Sequence, residues 1–66
     1  MKLSPFDVVF LKENLPEAGL IKGQSGVILD VYNSPTLAYE VEFCDNDGKT
    51  LLCLALSPEQ LSQSLN

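Results

Sequence analysis

Apolar residues along this chain gather in short runs divided by polar stretches that carry Gly and Pro. Phe6-Asp7-Val8-Val9-Phe10-Leu11 is rich in β-branched and aromatic side chains and predicts a strand. Val27 to Tyr32 predicts a second. Its alternation sets Val27, Leu29 and Val31 on one face and Ile28, Asp30 and Tyr32 on the other. Asp30 marks the second of these faces as the outer one, because an unpaired buried carboxylate is costly. Tyr39-Glu40-Val41-Glu42-Phe43 alternates strictly, so Tyr39, Val41 and Phe43 are expected inside and Glu40 and Glu42 outside. Thr50 to Leu54 continues as a fourth strand.

The connections are as telling as the strands. Lys12 to Gly26 predicts a long loop in which Pro16 and Gly19 disfavour an embedded helix. Such a loop serves either as a binding lip or, the favoured reading, as a connection folded over the open end of a barrel with Leu15, Leu20 and Ile21 plugging its core. Lys22-Gly23-Gln24-Ser25-Gly26 predicts a tight turn into the second strand, and Asn33 to Thr36 a further loop. Asp45-Asn46-Asp47-Gly48 predicts a hairpin turn with Gly48 left-handed, pairing Asp45 with Lys49. Counting outward from that pair sets Phe43 opposite Leu51, Val41 opposite Cys53 and Tyr39 opposite Ala55, all facing in. Leu52 and Leu54 are then expected on the outer face, where with Ile28 and Tyr32 they form an apolar patch. Ser57-Pro58-Glu59-Gln60 carries the marks of a capped helical turn, and Leu61 is expected to return to the core. Ser62 to Asn66 is expected to add a short last strand or to fray. The pattern as a whole predicts one all-β domain over residues 1–66. It is a small barrel of about five strands with one short helical turn near the C-terminus.

Composition narrows what such a barrel can do. Nine acidic residues face four lysines, with no Arg and no His, for a formal charge of −5. Nucleic-acid binding draws most of its affinity from cations on phosphates, so nucleic acid is not an expected partner. An acidic surface attracts a basic protein, or simply keeps the domain soluble. A chain of 66 residues buries a small core, and domains of this size commonly lean on a disulfide, a metal or a second subunit. A homo-oligomer is therefore among the expectations. No basic start followed by an apolar segment reads as a signal peptide. The apolar stretch Leu51 to Leu56 is too short to span a bilayer. No membrane partner is therefore expected, and two cysteines without a secretory segment point to a reducing cytoplasm.

Chemistry is sparse. Without histidine, imidazole acid–base catalysis and the Ser-His-Asp and Cys-His arrangements are excluded. Cys44 is expected outward and Cys53 inward, which rules against a disulfide between them, and two cysteines alone do not make a zinc site. Asp45-Asn46-Asp47-Gly48 starts like a calcium loop, but the position that should carry the closing glutamate is Leu56. Gly23-Gln24-Ser25-Gly26 lacks the ending of a phosphate loop. No cofactor, metal or catalytic residue is expected, and the chain is not read as an enzyme.

Strand, Pro/Gly loop, Lys22-Gly23-Gln24-Ser25-Gly26-Val27, strand, hairpin and closing turn together resemble SH3-like small barrels. The Gly23-x-x-Gly26-Val27 turn is similar to that of the KOW group. More closely, the whole chain resembles a bacterial family of short proteins, the domain of unknown function 4926. The residues that carry this likeness are Phe6-Asp7-Val8-Val9, Leu15-Pro16-Glu17, Gly19-Leu20, Gly23, Gly26-Val27, Tyr39 to Phe43, Gly48 and Pro58-x-x-Leu61. The resemblance implies a gene often placed beside another small protein of toxin or nuclease type and, by that association only, an antitoxin- or immunity-like role. The expected function is a non-catalytic protein-interaction module that binds a basic partner through Asp30, Tyr32, Glu40, Glu42, Leu52 and Leu54. The alternatives are an RNA- or ribosome-associated barrel, as the KOW likeness implies, and a purely self-assembling structural subunit.

Overall fold

A computed structural model describes residues 2–64. Five strands follow in chain order: β1 (Val8–Leu11), β2 (Ser25–Tyr32), β3 (Ala38–Cys44), β4 (Thr50–Leu56) and β5 (Leu61–Ser62). They form one antiparallel sheet in the order β4-β3-β2-β1-β5, with single 3₁₀ turns at Pro16–Ala18 and Pro58–Gln60. This is the small all-β barrel that the pattern predicts. The turn at Pro58–Gln60 joins the two edge strands, and Leu61 opens the last strand, which pairs with β1. The part of the expected last segment at residues 65–66 lies outside the described residues.

The core is apolar throughout. Val9, Ile28, Val41, Phe43 and Leu61 are wholly buried, and Leu3, Leu11, Leu20, Tyr39 and Leu56 nearly so. Burying each such side chain contributes about 1.5–3 kcal/mol. Gly26 sits beneath this cluster, paired with Val9 across β1 and β2. A Cβ there would come within 2.6 Å of Val41 Cγ1 and 2.9 Å of Phe43 Cε1. Only a bare backbone lets β2 approach that closely.

The first strand begins two residues later than its composition predicts. Ser4 N–H donates to Asp7 Oδ2 (2.9 Å), and Asp7 N–H donates to the Ser4 carbonyl (3.1 Å). This Ser/Asp turn chemistry overrides the strand preference of Phe6, which is left at φ 73° and 80 % exposed. In the long loop, Leu15 packs on the core and Leu20 is buried, as expected. Ile21 does not join them and is 66 % exposed. Pro16 opens one 3₁₀ turn, and Gly19 closes it at φ 73°.

Two bulges reset the faces of β2 and β4. Between Ile28 and Asp30 the pairing to β3 shifts, so Ile28 lies opposite Val41 and Val31 opposite Tyr39. Ile28 is therefore inside, contrary to the simple alternation, and Leu29 is exposed. The hairpin turn itself forms as predicted. Asp45 N–H donates to the Lys49 carbonyl (2.8 Å), and Gly48 has φ 81°. Just beyond it, Cys44 pairs with Thr50 but Phe43 pairs with Leu52, so Leu51 is the extra residue. That one-residue slip turns Leu52, Leu54 and Leu56 toward the core and Cys53 and Ala55 outward.

Candidate functional site

The outer face of the sheet is built from positions that pair across the strands and so share a side. Val8, Val27, Glu42 and Cys53 form one row from β1 to β4. Asp30, Glu40 and Ala55 form the next, and Tyr32 pairs with Ala38 beyond it. Of the residues expected at a partner site, Asp30, Tyr32, Glu40 and Glu42 are thus brought together on this face. Leu52 and Leu54 are not: the bulge at Leu51 packs them, half-buried, against the core. Ile28, expected to join the same patch, is wholly buried. Residues that the pattern did not assign to the face, Val8, Val27, Leu29, Cys53 and Ala55, supply its apolar part.

Hydroxyl groups hold the carboxylates in place. Tyr32 OH donates to Glu40 Oε1 (3.2 Å), and Thr50 Oγ1 donates to Glu42 Oε2 (2.8 Å). Asp30 Oδ1 accepts from the N–H of Val31 (2.8 Å), next to the bulge. No strand carries a lysine, so the face keeps a single sign of charge. Tyr32 has its phenol pushed above the usual value by partial desolvation, then by the charge and hydrogen bond of Glu40 and by Asp30. The Cys53 thiol is likewise pushed up by desolvation, then by Glu42, Glu40 and Cys44. A raised thiol is a weak nucleophile at neutral pH.

The other chemistries weighed from sequence find structural uses instead. Asp45 Oδ1 accepts from the N–H groups of Asp47 and Lys49, both at 2.9 Å, and so folds its own turn. Gly23, at φ 90°, donates its N–H to the Leu11 carbonyl at the turn into β2. Gln60 Oε1 accepts from Ser57 N–H (3.0 Å), the reach-back of a capping box. Cys44 and Cys53 are both free and both exposed. Cys53 therefore faces outward rather than inward, for the same reason as Leu52 and Leu54 face the core. Among the described residues no polar or charged side chain is buried, and no group of three or more His, Cys, Asp or Glu is placed to hold a metal. No helix among them is long and apolar enough to cross a membrane.

A family model described as "Domain of unknown function (DUF4926)" matches residues 5–63. The chain belongs to the DUF4926 family. Nearly the whole barrel falls within the match, from the residue before Phe6 to the one after β5. No curated protein and no solved structure matches the chain. Membership in DUF4926 carries no activity with it.

Proposed function

We propose that this DUF4926 protein is a non-catalytic protein-interaction module whose outer sheet face docks on a basic partner. The observation that carries the reading is the grouping of Asp30, Glu40 and Glu42 beside Tyr32, with exposed apolar residues around them and no lysine in any strand. Carboxylates held by hydroxyls rather than by lysines remain available to incoming cations. Long-range charge would steer association, and Val8, Leu29 and Tyr32 would supply contact area as water leaves. Leu52 and Leu54 would act from behind, as the packing that holds β4 and its side of the face. The narrower form of the proposal is an antitoxin- or immunity-like role, in which the face occludes a basic toxin- or nuclease-type protein. Two free thiols suit a reducing cytoplasm as its setting. The same single-signed face disfavours RNA, whose phosphates it would repel.

The test is affinity capture from native lysate with the tagged protein and with its Glu40→Lys/Glu42→Lys variant. The expected result is one basic protein held by the first and not by the second. Capture of the same proteins by both would refute the acidic face as the docking surface.

A further inference from the structure

β4 is one edge of the sheet, and its other side has no strand neighbour among the described residues. Its sequence, Thr50-Leu51-Leu52-Cys53-Leu54-Ala55-Leu56, contains no charge, Pro or Gly. Sheet proteins usually blunt such an edge with charge or Pro. Here the only device is the bulge at its start, which leaves Leu52 to Leu56 regular.

The backbone groups at that edge can be assigned. Ile28 N–H donates to the Asp7 carbonyl (2.9 Å), and the Ile28 carbonyl accepts from Phe6 N–H (2.7 Å). Ile28 therefore points its polar backbone away from its β3 neighbour Val41. Antiparallel alternation then turns Val41 toward Leu54 on β4, and turns the N–H and C=O of Cys53 and Ala55 out to the open edge. Beside that edge runs a groove of about 300 Å³, lined by Leu15, Pro16, Ala18, Leu54 and Leu56, with Glu17 and Gln60 among its polar members.

We propose that β4 pairs antiparallel with β4 of a second copy across a two-fold axis at Leu54. The segment Leu52-Cys53-Leu54-Ala55-Leu56 is a near palindrome about that residue, as a self-complementary isologous interface requires. In this register Cys53 of each copy forms a hydrogen-bonded pair with Ala55 of the other. The outward groups are matched without remainder, for about four new hydrogen bonds. Leu54 meets Leu54, and Leu52 meets Leu56, on the inner side where the half-buried leucines are covered and the groove takes up their side chains. Lys49, just before β4, is carried toward the turn that bears Glu59 in the second copy, the one place along the edge where opposite charges meet. The two sheets become one, with both acidic faces on the same side. The pairing does not depend on the identity of any basic partner.

Charge gives the pairing a signature. Each copy carries −5, so two copies repel, while the paired strands are uncharged and the one Lys49–Glu59 meeting lies at their exposed ends. Salt screens the repulsion and leaves the contact intact. Self-association should therefore tighten between about 0.05 and about 0.5 M salt, the reverse of binding to a basic protein. Sedimentation of the full chain at both ionic strengths reads this directly. Ala55→Pro removes an N–H that β3 does not use, and should weaken self-association about tenfold or more. Cys53→Lys, at an exposed position, should do the same without touching the core. In a Cys44→Ser/Cys53→Ser background, Leu54→Cys should cross-link to itself on mild oxidation, because the paired residues face each other at close range. A chain that stays monomeric at every concentration would overturn the proposal and leave the edge to an extended segment of another protein. So would a dimer that loosens with salt, or one that neither Ala55→Pro nor Cys53→Lys disturbs.

Discussion

Replacing Gly26 by Ala tests how closely the sheet wraps its core. The added Cβ would lie 2.6 Å from Val41 Cγ1, 2.9 Å from Phe43 Cε1 and 3.0 Å from the Glu42 carbonyl oxygen. Val41 and Phe43 are wholly buried, and the carbonyl belongs to β3, an interior strand of the sheet. Relief has to come from separating β2 from β3 or from off-rotamer side chains. Overpacking of this kind costs about 1–3 kcal/mol, and the three simultaneous contacts place Gly26→Ala near the top of that range. A domain of this length has roughly 3–10 kcal/mol in hand, so the melting temperature should fall by roughly 10–20 °C. Thermal and urea unfolding followed by circular dichroism measure it. Gly23→Ala is the control: nothing lies within 4 Å of its Cβ, and only the strain of φ 90° remains, about 1 kcal/mol. Val41→Ala removes the nearest clashing atom, so adding it to Gly26→Ala should cost about 1 kcal/mol less than the sum of the two. A Gly26→Ala protein within about 0.5 kcal/mol of the parent, or strict additivity with Val41→Ala, would refute the close approach.

Other consequences follow from the bulges and the outer face. Leu52→Lys should unfold the domain or nearly so, while Leu51→Lys should change stability by less than about 0.5 kcal/mol; equal effects in denaturant unfolding would contradict the slip at Leu51. Phe6→Gly should stabilise by about 1 kcal/mol, because it relieves a left-handed φ at an exposed side chain; a loss of stability would show that Phe6 packs on something. Desolvation, then Glu42 and Glu40, raise the Cys53 thiol, so its alkylation rate should rise with pH through a midpoint above that of the unfolded chain, and Glu42→Gln should lower that midpoint; a midpoint that Glu42→Gln leaves in place would remove this carboxylate as a contributor. In a Tyr39→Phe background, ultraviolet titration should place Tyr32 ionisation above the ordinary value of about 10. The raised folded value, set by desolvation first and then by Glu40 and Asp30, means that the linked stability is present below the unfolded value and is lost as pH rises through the folded one. Glu40→Gln should bring the midpoint down, and a titration unmoved by that change would contradict the arrangement.

Strands were easiest to read where polar and apolar residues alternate without ambiguity. Glu40 and Glu42 fix both faces of β3, since neither carboxylate can be buried unpaired, and the structure follows that pattern. The Asp45–Lys49 turn was equally plain, because Asp side-chain bonding and a left-handed Gly48 leave few alternatives. The two bulges were not visible. Each falls where bulky aliphatic residues adjoin, at Ile28-Leu29 and at Leu51-Leu52. Either member of such a pair can face the core, so hydrophobicity alone does not say which one is skipped. The cost of the missed bulges was local but concerned the site. Both predicted carboxylate positions on β3 stand, with Asp30 and Tyr32 beside them, while Leu52 and Leu54 exchange places with Cys53 and Ala55. Phe6 failed for another reason: strong turn formers on either side outweighed its own preference.

The proposal that the acidic outer face recognises a basic protein is tested most directly by association kinetics. The captured partner would be mixed in stopped flow with the parent protein and with Glu40→Lys/Glu42→Lys across a range of ionic strength. Association of the parent should be fast at low salt and fall steeply as salt rises, and the variant should be slower with a flattened dependence. Equal rates and equal salt dependence for the two proteins would contradict it.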